Sequence, residues 1–430
     1  MSGPGGMMLE LTEDRRAPLA RLVAAWATRR AAEAAERGPA ERRAAEEVDV
    51  EEVEVLRSGR PALLDVLAKV DGRSVHAVLG VRSGEGGQAT APAAEDGLGL
   101  LQDDDGLAVV IDAARDAQLA PLVLEAVTGE SSARESAVVV SDDEDATVLE
   151  FDDCSLTVFS SLTSGPDPAV ELLLALDEAG FNHLAAPLAV WRRRGHDLGV
   201  VQELLAGSAG GWALALTSLR DLYGSGGPPE EAGGDFGPEA QALGTMTARM
   251  HLALDRAFGR HEVPVAGWGE QVGAMVEELA PALLDDPSAA AALEAVVGSA
   301  DVGVELRTHG DFHLGRTART DLGWVVSDCR PGGQPPGATQ PTLRSPLADV
   351  ADMLWSMHHV STVAATERDA TGRAGLAPLA QAWASRNRFA FLEAYLAQPG
   401  IEDLVSHDRA TVRRLVALFE LERAVLTGGH

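Results

Sequence analysis

The chain contains little of what disulfide-stabilised, secreted or membrane-embedded proteins need. Only two of its 430 residues are cysteines, Cys154 and Cys329, too few for a disulfide framework or a cysteine zinc site. No run of about 18 or more apolar residues is present, so no membrane span is expected. The N-terminal segment lacks the basic start, unbroken apolar stretch and cleavage site of a secretory signal. These absences predict a cytoplasmic protein with reduced thiols.

Positive charge is also scarce. The formal net charge is −31, and among the 35 basic residues Lys69 is the single lysine. This excess of negative charge argues against nucleic acids and anionic membranes as partners, because both select positive surfaces. It also disfavours a polyanion such as ATP unless cations are placed locally.

The hydrophobic pattern predicts a strand-rich first half and a helical second half. Runs such as "SAVVVSD", "ATVLEFD" and "SLTVFSSL" are typical of strands. In "PEAQALGTMTARMHLALDRAFG", the residues Leu243, Met246, Met250 and Leu254 recur at helical spacing. We predict three domains, at residues 1–128, 129–205 and 206–430, in an α+β fold with the two-lobed plan of protein kinases.

The segment "RTHGDFHLGRTARTDLGWVVSDCRPGG", from Arg307 to Gly333, carries the chemistry. Phosphoryl transfer needs a carboxylate that takes the proton of the attacking hydroxyl, metal ligands, and cations on the phosphates. Asp311 lies in a tight turn and is the predicted base. Asp328 ends a short apolar strand, and we expect the two carboxylates to converge on one metal–phosphate site.

Several ordered segments together resemble the actinobacterial maltokinases and their glucosamine kinase relatives, in the aminoglycoside phosphotransferase superfamily. They are "PALLDVLAKVDGRSVHAVLGVR", "SLTSGPDPAVELLLALDEAGF", "VVQELLAGSAGGW", "THGDFHLG", "GWVVSD", "SPLADVADMLWSM" and "WASRNRFAFLEAYLA". The resemblance implies a bilobal kinase-like fold, with a maltokinase-type cap domain at 1–128, an N-lobe at 129–205 and a helical C-lobe at 206–430.

The resemblance also implies roles and ligands. ATP and Mg²⁺ would be the cofactors of an active enzyme, and a sugar, amino sugar or aminoglycoside-like hydroxyl the acceptor. Asp311 would be the catalytic base, Asp328 a magnesium ligand, and Asp349 a brace for the loop, while Asp352 is interpreted as a solvated acid. The other implied site residues are Gln202, Glu203 and Leu204 at the adenine, Arg316 at the phosphates, and His313, Trp383, Phe391 and Tyr395 on the substrate side.

The sequence departs from the family pattern at the positions that serve the nucleotide and the metal. The family loop reads "HGDxHxxQ", but Arg316 occupies the place of the glutamine, and a guanidinium has no lone pair for a metal. Arg330 stands where the family has a second carboxylate. Thr157 stands at the position of the phosphate-binding lysine, so Glu171 is predicted to lack its partner.

Two further departures lie outside the loop. The predicted phosphate loop, "VTGESSARESAVVV", has one glycine and precedes an acidic run, and the chain ends before a helix that shapes the family's sugar site. Each loss of a positioned donor costs roughly 10²–10³ in rate. These departures favour a degenerate kinase.

Three hypotheses therefore remain open. The first is a pseudokinase, without turnover or an obligatory cofactor, that acts by binding a small molecule or a partner enzyme. The alternative is an active atypical kinase with Asp311 as base and Arg316 and Arg330 as phosphate-binding cations. In the third, the same arginines hold another phosphorylated metabolite. Packing is the competing interpretation for Trp383 and Tyr395.

Overall fold

The computed structural model describes residues 7–8, 12–37, 45–83, 97–103, 106–130, 136–231, 234–263, 267–279, 287, 290, 301–330, 343–366 and 370–427. The chain divides into two compact units, one made of Met1–Val170 and Ala186–Leu204, the other of Glu171–Ala185 and Leu205–His430. Sheets dominate the first unit and helices the second, which confirms the predicted α+β class. The division into three domains at 128 and 205 stays a prediction. Both large sheets, one on each side of residue 128, belong to the first unit.

The larger sheet of the first unit is antiparallel, with the strand order β1-β2-β3-β4-β6-β5. Successive side chains of a strand point to opposite faces. Accordingly Leu63 belongs to one hydrophobic core and its neighbour Leu64 to another. The elements around this sheet are β1 (Met7–Met8), α1 (Glu13–Arg37), β2 (Val48–Arg57), β3 (Ala62–Val70), β4 (Arg73–Ser83), β5 (Gly99–Asp103), β6 (Gly106–Asp112) and α2 (Ala120–Thr128).

Helices cover both faces of this sheet. Trp26 of α1 packs in the core on one face, and Leu124 of α2 packs in the core on the other, where the second sheet joins it. Lys69 lies on β3 with a half-exposed side chain, and its Nζ is 2.7 Å from a carboxylate oxygen of Glu51.

The second sheet has the order β10-β11-β9-β8-β7. The segments "LAAPLAVWRRR" and "HDLGVVQELLAG" predict a hairpin. It is confirmed as β10–β11, whose tight turn takes positive φ at Arg194 and Gly195. The strands are β7 (Val138–Asp142), β8 (Ala146–Glu150), β9 (Cys154–Phe159), β10 (Pro187–Arg193) and β11 (His196–Glu203). Residues 131–135 of the predicted phosphate loop lie outside the described residues.

Long helices form the second unit. The predicted core positions Leu243, Met246, Met250 and Leu254 are all buried in one of them. Among the described helices none has the length and apolar character that crossing a membrane requires. They are α3 (Pro168–Glu178, which begins in the first unit), α4 (Gly211–Ser225), α5 (Gly237–Phe258), α6 (Gly267–Leu279), α7 (Pro346–Thr366), α8 (Ala370–Leu396) and α9 (Arg409–Leu426).

Two small antiparallel sheets carry the loop that the sequence singles out. One has the order β12-β15-β16 and the other β13-β14-β17. The chain passes from β14 through the loop and a 3₁₀ turn at Leu314–Arg316 into the β15–β16 hairpin. The strands are β12 (Ala209–Gly210), β13 (Arg260–Glu262), β14 (Val304–Arg307), β15 (Thr317–Thr320), β16 (Gly323–Val326) and β17 (Leu343–Arg344).

Candidate active site

A buried carboxylate holds the loop after β14. Gly310 takes a φ of 84°, which glycine adopts without the cost a side chain would add. The backbone N–H groups of His309 and Gly310 donate to the carboxylate of Asp349 over 2.8 and 2.9 Å. Asp349 lies in the first turn of α7 and is fully buried. These are the contacts expected of the loop brace.

A buried hydrogen-bonded chain continues behind Asp349. His251 of α5 places Nε2 3.1 Å from the Asp349 carboxylate and Nδ1 2.9 Å from the Tyr395 hydroxyl. Because a carboxylate only accepts, Nε2 donates to it, and Nδ1 shares the second hydrogen bond with the hydroxyl of Tyr395. Burial opposes ionisation of Asp349, but the hydrogen bonds from His251 and Gly310 outweigh it and lower its pKa. The loop thus rests on a charge that α5 and α8 hold in place.

The β15–β16 hairpin brings Arg316 and Asp328 side by side. The two strands pair antiparallel over their whole length, and the N–H of Ser327 donates to the carbonyl of Arg316 over 2.9 Å. Arg316 therefore precedes the first strand, and Asp328 follows the second, at the open end of one hairpin. Asp311 lies nearby, so the two aspartates converge, and the group at which they meet is a guanidinium.

Arginines engage every oxygen of these two carboxylates. Arg316 donates through Nη2 to Oδ2 of Asp311 over 3.0 Å and through Nη1 to Oδ2 of Asp328. Arg330 donates to Oδ1 of Asp328 from its backbone N–H over 2.9 Å and to Oδ2 from Nη2 over 2.9 Å. Arg423 donates through Nη1 to Oδ1 of Asp311 over 2.9 Å.

These contacts keep both aspartates ionised. Burial alone would raise the pKa of Asp311, but His313, Arg316 and Arg423 outweigh it and hold the pKa far below its ordinary value. Burial likewise opposes ionisation of Asp328, and Arg330 and Arg316 overcome it and lower its pKa. A low pKa leaves Asp311 ready to accept a proton at neutral pH but makes it a weak base.

A third carboxyl group nearby behaves differently. Asp352 is only 6% exposed, so its interpretation as a solvated acid is wrong. Burial raises its pKa to about 8, although Arg423 lies 3.8 Å away and acts against the rise. Asp352 is therefore protonated at neutral pH. The guanidinium carbon of Arg423 also lies 5.5 Å from the ring centroid of Trp355, within the range of a cation–π contact.

Glu171 has a partner, contrary to the prediction from the missing lysine. Nη1 of Arg307 donates to its carboxylate, and the Arg307 guanidinium lies 4.5 Å from the ring centroid of Phe258. Arg307 is buried and immediately precedes the loop. An arginine of the second unit thus supplies the positive charge that β9 does not offer.

The predicted substrate-side residues differ in exposure. His313 is partly exposed, with Nδ1 accepting from the N–H of Gly315 over 3.1 Å and Nε2 3.5 Å from Oδ2 of Asp311. Trp383 and Tyr395 are buried, and Nε1 of Trp383 donates to the hydroxyl of Ser218 over 2.9 Å. These contacts are those of packing residues, and the substrate-side role of both stays a prediction.

The predicted adenine-binding segment lies at the end of β11 in the first unit. There the N–H of Glu203 donates to the carbonyl of Ala186 over 2.9 Å, and the N–H of Leu204 donates to the carbonyl of Asp153 over 3.2 Å. The role of Gln202, Glu203 and Leu204 at a nucleotide stays a prediction.

The donor set around Asp328 does not fit a magnesium ion as it stands. Within the described part of the chain, no group of three or more His, Cys, Asp or Glu side chains is arranged to hold a metal. Mg²⁺ requires near-octahedral oxygen ligands, whereas the carboxylate oxygens of Asp311 and Asp328 already accept from cations. Arg316 adds positive charge at the position where the resemblance implies a second ligand. The assignment of Asp328 to a metal stays a prediction that this arrangement disfavours.

Sequence reasoning missed Arg423, although a signal for it exists. Leu415 and Phe419 are buried residues of α9, and Arg423 follows them at the same spacing of four residues. A basic residue on the buried face of a helix needs an acidic partner. That partner, Asp311, is 112 residues away in sequence, so the pattern of α9 alone could not name it.

Known proteins resemble this chain over most of its length. No protein-family model matches the sequence. A glucosamine kinase of Streptacidiphilus jiangxiensis is 31% identical over 381 residues, which cover 80% of this chain and 82% of that protein. A solved glucosamine kinase structure, crystal form A, superposes with a TM-score of 0.61 at 21% identity and covers 94% of both chains.

A second solved structure is a glucosamine kinase in complex with glucosamine, ADP and inorganic phosphate. It superposes with a TM-score of 0.59 at 20% identity over 89% of this chain and 90% of that chain. At these identities the two structures show the fold alone, and they confirm that this chain has the kinase-like fold of the solved glucosamine kinases. Identity of 31% across four fifths of the sequence shows more than a shared fold: the chain belongs to the glucosamine kinase family.

Proposed function

We propose that this protein transfers the γ-phosphoryl group of ATP to a hydroxyl of an amino sugar such as glucosamine. The observation that carries the proposal is the 31% identity over 80% of the chain to a glucosamine kinase. Further support comes from the loop around Asp311, whose backbone N–H groups donate to Asp349, with His251 donating to the same carboxylate. Among the hypotheses from the sequence, the active atypical kinase therefore takes precedence over the pseudokinase.

In this proposal Asp311 accepts the proton of the sugar hydroxyl. The hydroxyl oxygen forms a bond to the γ-phosphorus while the bond from the γ-phosphorus to the β–γ bridging oxygen breaks, and that electron pair leaves with ADP. A carboxylate oxygen has two lone pairs. Asp311 can therefore accept from the hydroxyl while Arg316 and Arg423 keep it oriented.

The experiment follows product formation from ATP and glucosamine by ³¹P NMR, with ADP release measured in parallel. Glucose, N-acetylglucosamine and maltose serve as competing acceptors. We expect a sugar phosphate and ADP in equal amounts, with glucosamine the best acceptor. Asp311→Asn should lower kcat by about 10²–10⁴, the usual contribution of a general base.

The matched control is Asp321→Asn. Asp321 is an exposed acid in the turn between β15 and β16, so its loss should leave kcat unchanged. If no sugar phosphate forms from any acceptor at millimolar ATP, the kinase proposal is refuted. If Asp311→Asn retains full activity, the transfer stands but its base lies elsewhere.

One observation favours a second candidate, a kinase fold that binds ligands or a partner enzyme without turnover. Arg316 and Arg330 both engage Asp328, the carboxylate that a metal-dependent kinase would keep for its metal. Under this candidate, glucosamine or a nucleotide would raise the melting temperature of the protein by mass action while the ³¹P spectrum stays unchanged.

A further inference from the structure

Positive charge is concentrated around Asp311 and Asp328 in a strongly acidic protein. Their carboxylates face three guanidinium groups, those of Arg316, Arg330 and Arg423, whereas the whole chain has a formal charge of −31. The neighbouring Asp352 is buried and adds no negative charge at neutral pH. The cluster is therefore a local attraction for an anion.

Two of these arginines are positioned and partly open. The side chains of Arg316 and Arg330 keep 19% and 28% of their surface exposed. Asp328 contacts both and orients them, so a ligand would find them ordered before it binds. Nε of Arg316 is buried and has no hydrogen-bond partner among the described residues. A guanidinium offers five donors in a planar fork that suits phosphate oxygens.

The two positive charges of Arg316 and Arg330 equal the charge of a Mg²⁺ ion, which the donor set around Asp328 does not fit. Arg316 and Arg330 stand at the two positions where the family resemblance implies a glutamine and a carboxylate. Each adds one positive charge, and together they supply the charge of one Mg²⁺ ion beside Asp328. In phosphoryl transfer the task of that ion is to neutralise and orient phosphate oxygens, and paired arginines can do both.

We infer that Arg316 and Arg330 form a phosphate-binding site that works without a divalent cation. The inference rests on the proposed function in taking the phosphate chain of a nucleotide as the first ligand. A pyrophosphate group alone offers the same chemistry.

Isothermal titration calorimetry tests the inference with two probes, ADP and inorganic pyrophosphate. Each is titrated into the intact protein with EDTA and, separately, with millimolar magnesium chloride. We expect the Kd of ADP in EDTA to differ from the Kd in magnesium chloride by less than about 3-fold. Arg316→Gln and Arg330→Gln should each weaken binding in EDTA by about 10-fold or more, as expected for a lost charged hydrogen bond.

The matched control is Arg319→Gln, three residues further along. Arg319 pairs with Glu239 at 2.9 Å and contacts neither aspartate, so its loss should leave both Kd values unchanged. Arg316→Gln also restores the residue that the family pattern has at this position. We therefore expect added magnesium to tighten ADP binding by Arg316→Gln more than by the native protein.

The outcomes separate the inference from the proposed function. If the native protein binds ADP only with magnesium, or if the arginine variants bind as tightly as the native protein, the inference is overturned while the kinase can still stand. If pyrophosphate binds in EDTA, is lost in Arg316→Gln, and ADP does not bind, the inference stands and the nucleotide-dependent function fails. If neither probe binds in EDTA, the inference is overturned.

Discussion

Arg423, near the end of the last helix, donates a hydrogen bond to Asp311 over 2.9 Å across 112 residues of sequence. The proposed base therefore depends on α9 as well as on its own loop. Nε of Arg423 is buried without a partner among the described residues, so the side chain gives up hydration to make this contact.

Replacing Arg423 by methionine should lower stability by about 2–5 kcal/mol at pH 7, because it leaves a buried carboxylate with one cation fewer. The folded pKa of Asp311 is depressed, so its stabilising effect is present above about pH 4 and is lost as pH falls towards the folded pKa. The deficit of the variant should therefore stay nearly constant between pH 7 and pH 4 and shrink below about pH 4. Urea unfolding at pH 7, 4 and 3 measures it.

Arg409→Met, in the same helix, is the control. Its partner Glu393 is 2.6 Å away, but half of the Arg409 side chain is exposed, and such surface pairs contribute roughly 0–1 kcal/mol. If both variants lose the same stability, the contact with Asp311 has no special role.

Asp352→Asn should remove a pH dependence of stability. The pKa of Asp352 is raised to about 8 in the folded protein, so the folded state holds its proton where the unfolded chain has lost it. The free energy of unfolding then falls as pH rises between about 4 and 8, by at most about 1.4 kcal/mol per pH unit from this group. The asparagine variant should gain stability over the native protein across this window. Urea unfolding at pH 5, 6.5 and 8 measures the gain.

The comparison with the native protein isolates Asp352 from His309. Burial lowers the pKa of His309, so His309 makes stability fall as pH drops below about 6.5, the opposite direction. Both proteins contain His309, and its contribution cancels in the difference. A constant difference between pH 5 and pH 8 would contradict the raised pKa of Asp352.

Asp349→Ala should loosen the loop. It leaves the N–H groups of His309 and Gly310, both hydrogen-bonded to Asp349, without an acceptor, and each buried orphan costs about 1–3 kcal/mol. Hydrogen exchange monitored by mass spectrometry should show faster exchange in the peptide that spans 305–313. A peptide from β3, in the first unit, serves as the internal control. Equal acceleration of both peptides would indicate general unfolding instead.

Gly244→Ala should disrupt the contact between α5 and α8. A Cβ at Gly244 would lie 2.2 Å from the carbonyl oxygen of Phe391, and backbone cannot move aside as a side chain can. We expect a loss of about 1–3 kcal/mol from overpacking. Gly224→Ala is the matched control, because a Cβ there meets nothing within 4 Å and alanine favours a helix by up to about 1 kcal/mol. The melting temperature should fall for Gly244→Ala and rise for Gly224→Ala.

The fold could be predicted where the hydrophobic residues recur with a regular period. The spacing of Leu243, Met246, Met250 and Leu254 reflects one buried helix face, and local periodicity is enough to reveal it. The hairpin β10–β11 was equally readable, since strands and turn are contiguous. What sequence could not give was the grouping of two sheets around shared cores, which depends on contacts distant in the chain.

The residues of the site could be predicted from the sequence, but their hydrogen-bond and ion-pair partners could not. The convergence of Asp311 and Asp328 follows from a loop and a hairpin that are adjacent in sequence. The pairing of Glu171 with Arg307, across 136 residues, does not, and the prediction for Glu171 was wrong for that reason. The prediction for Asp352 was wrong because two acids spaced one helical turn apart, Asp349 and Asp352, occur on solvated and on buried helices alike.

The scarcity of lysine has a consequence for covalent chemistry. Lys69 is half exposed on β3, far along the sequence from the cluster of Arg316, Arg330 and Arg423. Acetyl and other acyl donors react with amines and not with guanidinium groups. Acylation of side-chain amines is thereby confined to one position in the first unit, and the guanidinium groups of Arg316, Arg330 and Arg423 keep their charge under this kind of modification.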